Sequence, residues 1–140
     1  MPETHHSESN TFQSQTFFRV AATYALLGVV LGAIGAHPIK EQLNAIGTRD
    51  TWETAVDYQF WHALAILLWL IFHKNQRAVS TLTPLCFSIG ILLFSGSLYI
   101  LALGGPSWLG PITPLGGLAF MVGWSHWLYK GIHSQTSSNQ

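Results

Sequence analysis

The sequence predicts an all-α membrane protein: an antiparallel bundle of four transmembrane helices with a short interfacial helix between the first and second. Three observations predict it. The chain is 49% apolar and only 9% charged, against roughly 25% charged in a soluble domain. The charges are unevenly spread, with no Asp, Glu, Lys or Arg in 20–39, 58–73 or 78–129. The last of these gaps holds two spans, because about 20 residues cross a hydrocarbon core of about 30 Å.

The elements follow in order along the chain. Residues 1–16 are polar, rich in Ser, Thr, Gln and His, and read as a flexible tail. The first span is expected at 17–36. It is read as retained rather than cleaved, despite the small residues Ala33-Ile34-Gly35, because its apolar run exceeds the roughly 7–15 residues of a signal peptide and no basic residue precedes Arg19. Residues 38–46 form the interfacial helix, with Pro38 at its first position, Ile39, Leu43 and Ile46 on one face, and Gly47 as its stop. Asp50-Thr51-Trp52-Glu53 then reads as a capping box. The helix it opens begins above the membrane and carries the second span, 54–73. A polar turn at 74–80 leads to the third span, 82–103, with Pro84 tolerated in its first turn. Gly104-Gly105-Pro106-Ser107 breaks that helix, the fourth span runs over 112–130, and 134–140 is a second flexible tail. The transmembrane domain as a whole is 17–133.

Lys and Arg in the short loops set orientation. Arg19, Lys74, Arg77 and Lys130 fall on the side of both termini, against Lys40 and Arg49 on the other, so both termini are expected in the cytoplasm. The lipid bilayer is the expected partner. A formal net charge of zero and the lack of a basic stripe exclude a nucleic-acid binder. The single cysteine, Cys86, excludes a disulfide framework within the chain and a Cys-based zinc site.

With that orientation the polar residues at membrane depth converge on the outer half of the bundle: His37, then Glu53, Asp57, Tyr58, Gln59 and His62 on the second helix, and Ser97 on the third. His62 stands out, because an ionisable side chain in a membrane is costly unless partnered. Its bland role is a neutral ring bonded to Ser95, Ser97 or a backbone carbonyl, gluing two helices; its sharper role is proton or substrate handling. Counting along the helices puts His62 and Ser97 at a shared depth. Glu53 and Asp57 share a face but suit a helix N-terminus at the water interface, and His62 lies well round the helix from both. No metal-ligand spacing or cofactor motif is present, and no cofactor is expected.

Small residues form a second constellation. Gly28, Gly32, Gly35 and Ala36 on the first span, Gly96 on the third, and Gly116 and Gly117 on the fourth are expected to let helix backbones approach closely. The alternative use is a homo-oligomer face on the first span. Trp61, Tyr99 and Trp108 on one side, with Phe17, Phe18, Trp127 and Tyr129 on the other, read as interfacial aromatic belts.

Four ordered motifs carry a family resemblance: L-G-A-I-G-A-H at 31–37, E-T-A-V-D-Y-Q-F-W-H-A-L at 53–64, L-F-S-G-S-L-Y at 93–99 and L-G-P-I-T-P-L-G-G at 109–117. Together they resemble the YgdD/YwdK-like family of small multi-pass membrane proteins, domain of unknown function family 423, with bacterial plasma-membrane members and an animal branch of the transmembrane protein 256 type. The resemblance implies a plasma-membrane location, such as a bacterial inner membrane, and a multi-pass topology; it brings no established activity. It points to His37, Glu53, Tyr58, Gln59, His62, Ser95, Ser97, Thr113 and Pro114, which match the family's motif positions. Asp57, where a basic residue is expected, and Pro38, where Gly is usual, depart from the pattern, so the resemblance implies no role for surface charge here.

The leading functional expectation is a structural or accessory membrane protein that presents its surface to lipids, to itself or to a larger complex. The alternative is a small transporter or channel subunit using the polar cluster around His62. An intramembrane enzyme pairing Ser95 or Ser97 with His62 lacks an orienting acid at the same depth, and no enzymatic activity is expected.

Overall fold

The computed structural model describes residues 4–74 and 80–136, with side chains described over 13–74 and 80–131. Among these residues all regular structure is helical and there is no strand. Helices α1 (Thr4–Ala36), α2 (Lys40–Ile46), α3 (Arg49–Phe72), α4 (Leu82–Ala102) and α5 (Ile112–Thr136) follow in order, with a 3-10 turn at Ser107–Leu109 before the last. Three helices are long and apolar enough to cross a membrane: Gln13–Ala36 within α1, Arg49–Phe72 and Leu82–Ala102. α5 has 25 residues, but Gly116, Gly117, Gly123, Ser125 and His126 thin its apolar run, and it is not one of the three.

Two glycines end helices by the same device. Gly47 (φ 76°) and Gly104 (φ 82°) take the left-handed conformation that side chains disfavour. Thr48 N–H then reaches the Leu43 carbonyl, and Gly105 N–H the Ile100 carbonyl, while each glycine N–H bonds the carbonyl three residues back. Both ends are Schellman motifs, and Pro106 prevents continuation. The expected stop at Gly47 therefore holds, whereas Pro38 precedes α2 instead of opening it.

Other expected boundaries move. α1 starts at Thr4 and not at 17, so the described part of the polar tail is helical. With no Gly or Pro between Thr4 and Leu27, a helix nucleated in the apolar span propagates outward at one bond per residue. α5 likewise runs on to Thr136. Residues 1–3, 75–79 and 137–140 of the expected tails and turn lie outside the described residues. The capping box does not form: Asp50 sits inside the first turn of α3, no side chain caps it, and Glu53 instead accepts from Arg49 Nε at 2.7 Å. Thr48, the N-cap residue, sends its hydroxyl to the Ala102 carbonyl at 2.6 Å, tying the start of α3 to the end of α4.

The long helices pack as sequential antiparallel neighbours, α1 on α3, α3 on α4 and α4 on α5. A main core gathers Ala21, Ala65, Ile66, Phe87, Ile91 and Phe120. A second, at the end where α2 lies, joins Leu43 of α2 to Trp52 and Ala102. The outward faces carry large apolar side chains, among them Leu26, Leu27, Val30, Leu64, Leu68, Ile71, Phe72, Leu85, Leu92 and Leu118. Such continuous apolar exposure is foreign to soluble monomers and suits a surface solvated by lipid.

Candidate functional site

The site is built where α3 lies against the α4–α5 pair. That pair meets in five layers whose members run in opposite directions along the two helices. Thr83 meets His126, Phe87 lies on Gly123, Phe120 lies on Gly90, the Phe94 backbone rests on Gly116, and Ser97 meets Thr113. On the termini side of α4 the spacing 83, 87, 90 is the three-four alternation that keeps one helix face toward a partner. A phenyl ring from one helix fills the gap left by a glycine on the other, with polar pairs closing both ends. The polar pairs are short, 2.7 Å for Thr83 Oγ1 to His126 Nδ1 and 2.7 Å for Ser97 Oγ to Thr113 Oγ1.

His62 of α3 faces the middle of this ladder and is 6% exposed. Its ring stacks on Phe120 with centroids 3.5 Å apart, meets Phe87 edge-on at 5.3 Å, and has Tyr58 one turn away at 5.9 Å. Nδ1 lies 2.8 Å from the Tyr58 carbonyl and Nε2 lies 3.2 Å from the indole Nε1 of Trp124. A carbonyl only accepts and an indole only donates, so Nδ1 carries the proton and Nε2 is bare. The imidazole is neutral in this arrangement, and both nitrogens are used.

The other polar residues serve particular contacts. Gln59, buried, donates from Nε2 to the Tyr24 carbonyl of α1 at 2.8 Å, and Trp52 donates from Nε1 to the Leu31 carbonyl at 3.0 Å. Tyr58 stacks on Phe94 at 4.5 Å. At the termini end, Trp69 Nε1 donates to the Ser80 carbonyl, while His73 stacks on Trp69 at 3.7 Å and donates from Nδ1 to its carbonyl. Near the α2 end, Ser95 Oγ and Tyr99 OH are buried without a hydrogen-bond partner.

Measured against expectation, the structure unites part of the cluster and disperses the rest. Tyr58, Gln59 and His62 lie on the packed faces of α3, and Ser97 and Thr113 bond to each other. His37, Glu53, Asp57 and Pro114 are exposed. His62 does not share a depth with Ser97: it lies level with Phe87 and Phe120, while Tyr58 is level with Phe94. Two packed antiparallel helices are set in register by their side chains, which counting inward from each boundary cannot find. Neither Ser95 nor Ser97 is bonded to His62, so the pairing of either serine with His62 does not form. Among the described residues no three His, Cys, Asp or Glu side chains come together to hold a metal.

The small residues divide similarly. Gly28, Gly32 and Gly35 face α3, with Trp52 lying on Gly35, so this stripe is covered within the chain. Gly116 is the tightest backbone approach, whereas Gly117 barely touches Phe94 at 4.0 Å, nothing lies within 4 Å of a side chain placed at Gly96, and Ala36 is exposed. Of the aromatic belts, Trp61, Trp108, Phe18 and Tyr129 are exposed, but Tyr99, Phe17 and Trp127 pack inward. Sequence reasoning missed Thr83, His126, His73, Trp124 and the phenylalanines 87, 94 and 120. The available signal was the three-four spacing of Phe87, Gly90 and Phe94 mirrored by Gly116, Phe120 and Gly123.

Comparison with known proteins places these motifs. The profile described as "Protein of unknown function (DUF423)" matches residues 31–117. The UPF0382 membrane protein YwdK of Bacillus subtilis is 40% identical over 113 residues, covering 79% of this chain and 90% of that protein. The UPF0382 inner membrane protein YgdD of Escherichia coli is 36% identical over 116 residues, 80% of this chain and 86% of its own length. A UPF0382 membrane protein of Haemophilus influenzae is 33% identical over 121 residues, 86% and 96% of the two chains. No solved structure matches.

Proposed function

The chain belongs to the DUF423 family of membrane proteins of unknown function, and we propose that it is a four-span plasma-membrane protein with a structural or accessory role. Both termini lie in the cytoplasm in this reading, from the distribution of Lys and Arg. The fourth span is α5. It follows the α4 span through all five layers, from Thr83–His126 to Ser97–Thr113, and turns Leu115, Leu118, Met121 and Val122 outward. Short α2 is then the interfacial helix, closing the outer end through Leu43.

The observation that carries the accessory role is the closure of His62. Its ring faces aromatic side chains, its two nitrogens are spent on Tyr58 and Trp124, and it is 6% exposed. A group so enclosed serves packing, and the surface left for interaction is the apolar exterior, open to lipids, to a second copy or to a larger complex. No catalytic reaction is part of this reading.

Three experiments test this reading. Reporter fusions at both ends should be active only in the cytoplasm, with one inserted at Gly104 to Ser107 active only outside. Crosslinking in native membranes, followed by mild-detergent purification, should capture an oligomer or a partner. A lone monomer with no crosslinked partner removes the accessory reading. Ion or solute flux in reconstituted vesicles that is lost in His62→Ala replaces it with the transporter or channel subunit, which four helices provide only as an oligomer.

A further inference from the structure

Helix α4 contains one irregular stretch, the π-helical Ile91–Ser95, bounded by Gly90 and Gly96. Gly96 N–H reaches back five residues to the Ile91 carbonyl, where an α-helix reaches back four. The turn therefore stores one residue more than a continuous α-helix needs. On the termini side of it α4 is held by Thr83–His126, by Phe87 on Gly123 and by Phe120 on Gly90. On the other side three ties hold Gly96–Ala102: Ser97 to Thr113, the Tyr99 ring edge-on to Trp52 at 4.8 Å, and Thr48 to the Ala102 carbonyl.

Those ties leave two hydroxyls unpaired. Ser95, 0% exposed, closes the π turn, and Tyr99 stands one turn beyond it; neither oxygen has a hydrogen-bond partner or meets space that a water could occupy. Buried hydroxyls in native proteins are paired, and leaving one unpaired carries its full desolvation cost. Releasing the stored residue turns both hydroxyls to new surroundings. Gly96 leaves open space beside the turn, since nothing lies within 4 Å of a Cβ built there.

We propose that the π turn is a two-position joint. In its second position Ile91–Ser95 is α-helical and Gly96–Ala102 is turned relative to Leu82–Gly90 by about 100°, the angle of one α-helical residue. Gly96 then takes the place of Ser97 opposite Thr113. The turn also links the two ends of the bundle. Phe94, inside it, is the ring on which Tyr58 stacks, and the Tyr58 carbonyl holds His62. Movement of the joint thus passes from the α2 end to the buried histidine.

Cysteine trapping in native membranes tests this on the full chain carrying C86S. The pair S97C/T113C occupies positions whose oxygens lie 2.7 Å apart and should crosslink fastest. G96C/T113C should also crosslink, about tenfold or more slowly, as expected of a minor conformer, and clearly faster than the control L98C/T113C. Deleting Leu92, which faces outward, removes the stored residue; S97C/T113C should then persist and G96C/T113C fall to the control rate. A G96C/T113C rate no higher than the control in the undeleted chain overturns the joint. So does a rate that survives the deletion, which marks general looseness of the helix.

Discussion

The α1–α3 and α4–α5 interfaces both bring helices close with glycine, yet they divide the labour differently. In the first, the glycines sit on one helix and the side chains that cover them on the other: Gly28, Gly32 and Gly35 of α1 receive Phe60, Val56 and Trp52 of α3. Its polar ties run from side chain to backbone, Trp52 to the Leu31 carbonyl and Gln59 to the Tyr24 carbonyl. In the second, ring and glycine alternate between the helices, and the shortest polar ties, each 2.7 Å, run from side chain to side chain. A one-sided interface lets the large side chain swing aside, and its acceptors repeat at every turn. A reciprocal interface fixes both register and rotation, because each ring has one gap to enter.

Substitution of glycine by alanine measures that difference. Gly116→Ala should have the largest effect, because the added methyl meets the backbone of Phe94, with Cα at 2.8 Å, and a packed backbone cannot step aside. A loss of about 3 kcal/mol is expected, the upper range for overpacking, read as reversible unfolding in mild detergent or bicelles. A change below about 0.5 kcal/mol, ordinary for a surface site, would show the reciprocal packing to be loose. Gly35→Ala should cost less, about 1–2 kcal/mol, since the methyl meets the Trp52 ring and the indole can rotate away at the expense of its bond to Leu31. Near-ultraviolet circular dichroism should change with it, and an unchanged tryptophan signal contradicts this route. Gly28→Ala should be the mildest, neutral or stabilising by up to about 1 kcal/mol from helix propensity, because its methyl meets Gln59 and Phe60 at an ordinary 3.6 Å. A loss equal to that of Gly116→Ala would erase the distinction between the two interfaces.

Much of the helical layout was legible in the sequence, and the reasons are local. Charge-free runs locate the apolar helices, since a charge inside hydrocarbon is costly. Gly47 announces the end of α2 because a left-handed residue at a helix end favours glycine. The stripe on α1 is visible because one helix carries all of it. His62 stands out as the polar residue in an apolar run, and a backbone carbonyl is indeed one of its partners. The capping box was misread because Asp50-x-x-Glu53 is a local pattern. The helix start was decided by Thr48, whose hydroxyl serves Ala102, a residue distant in the chain. Gly96 looks like a packing glycine in sequence, yet no neighbour faces it.

By itself, then, the sequence determined that this chain is helical, where its apolar helices lie, and where glycine must stop two of them; each follows from the chemistry of a few consecutive residues. Only the tertiary structure decided the rest: the matching of Phe87, Phe94 and Phe120 to glycines on the facing helix, the tautomer of His62, and the exposure of His37 and Glu53 away from the core. Those outcomes depend on which residue of one helix lies opposite which residue of another. The π turn in α4 belongs with them, because the layers on either side of it, and not its own residues, set how far the helix turns between them.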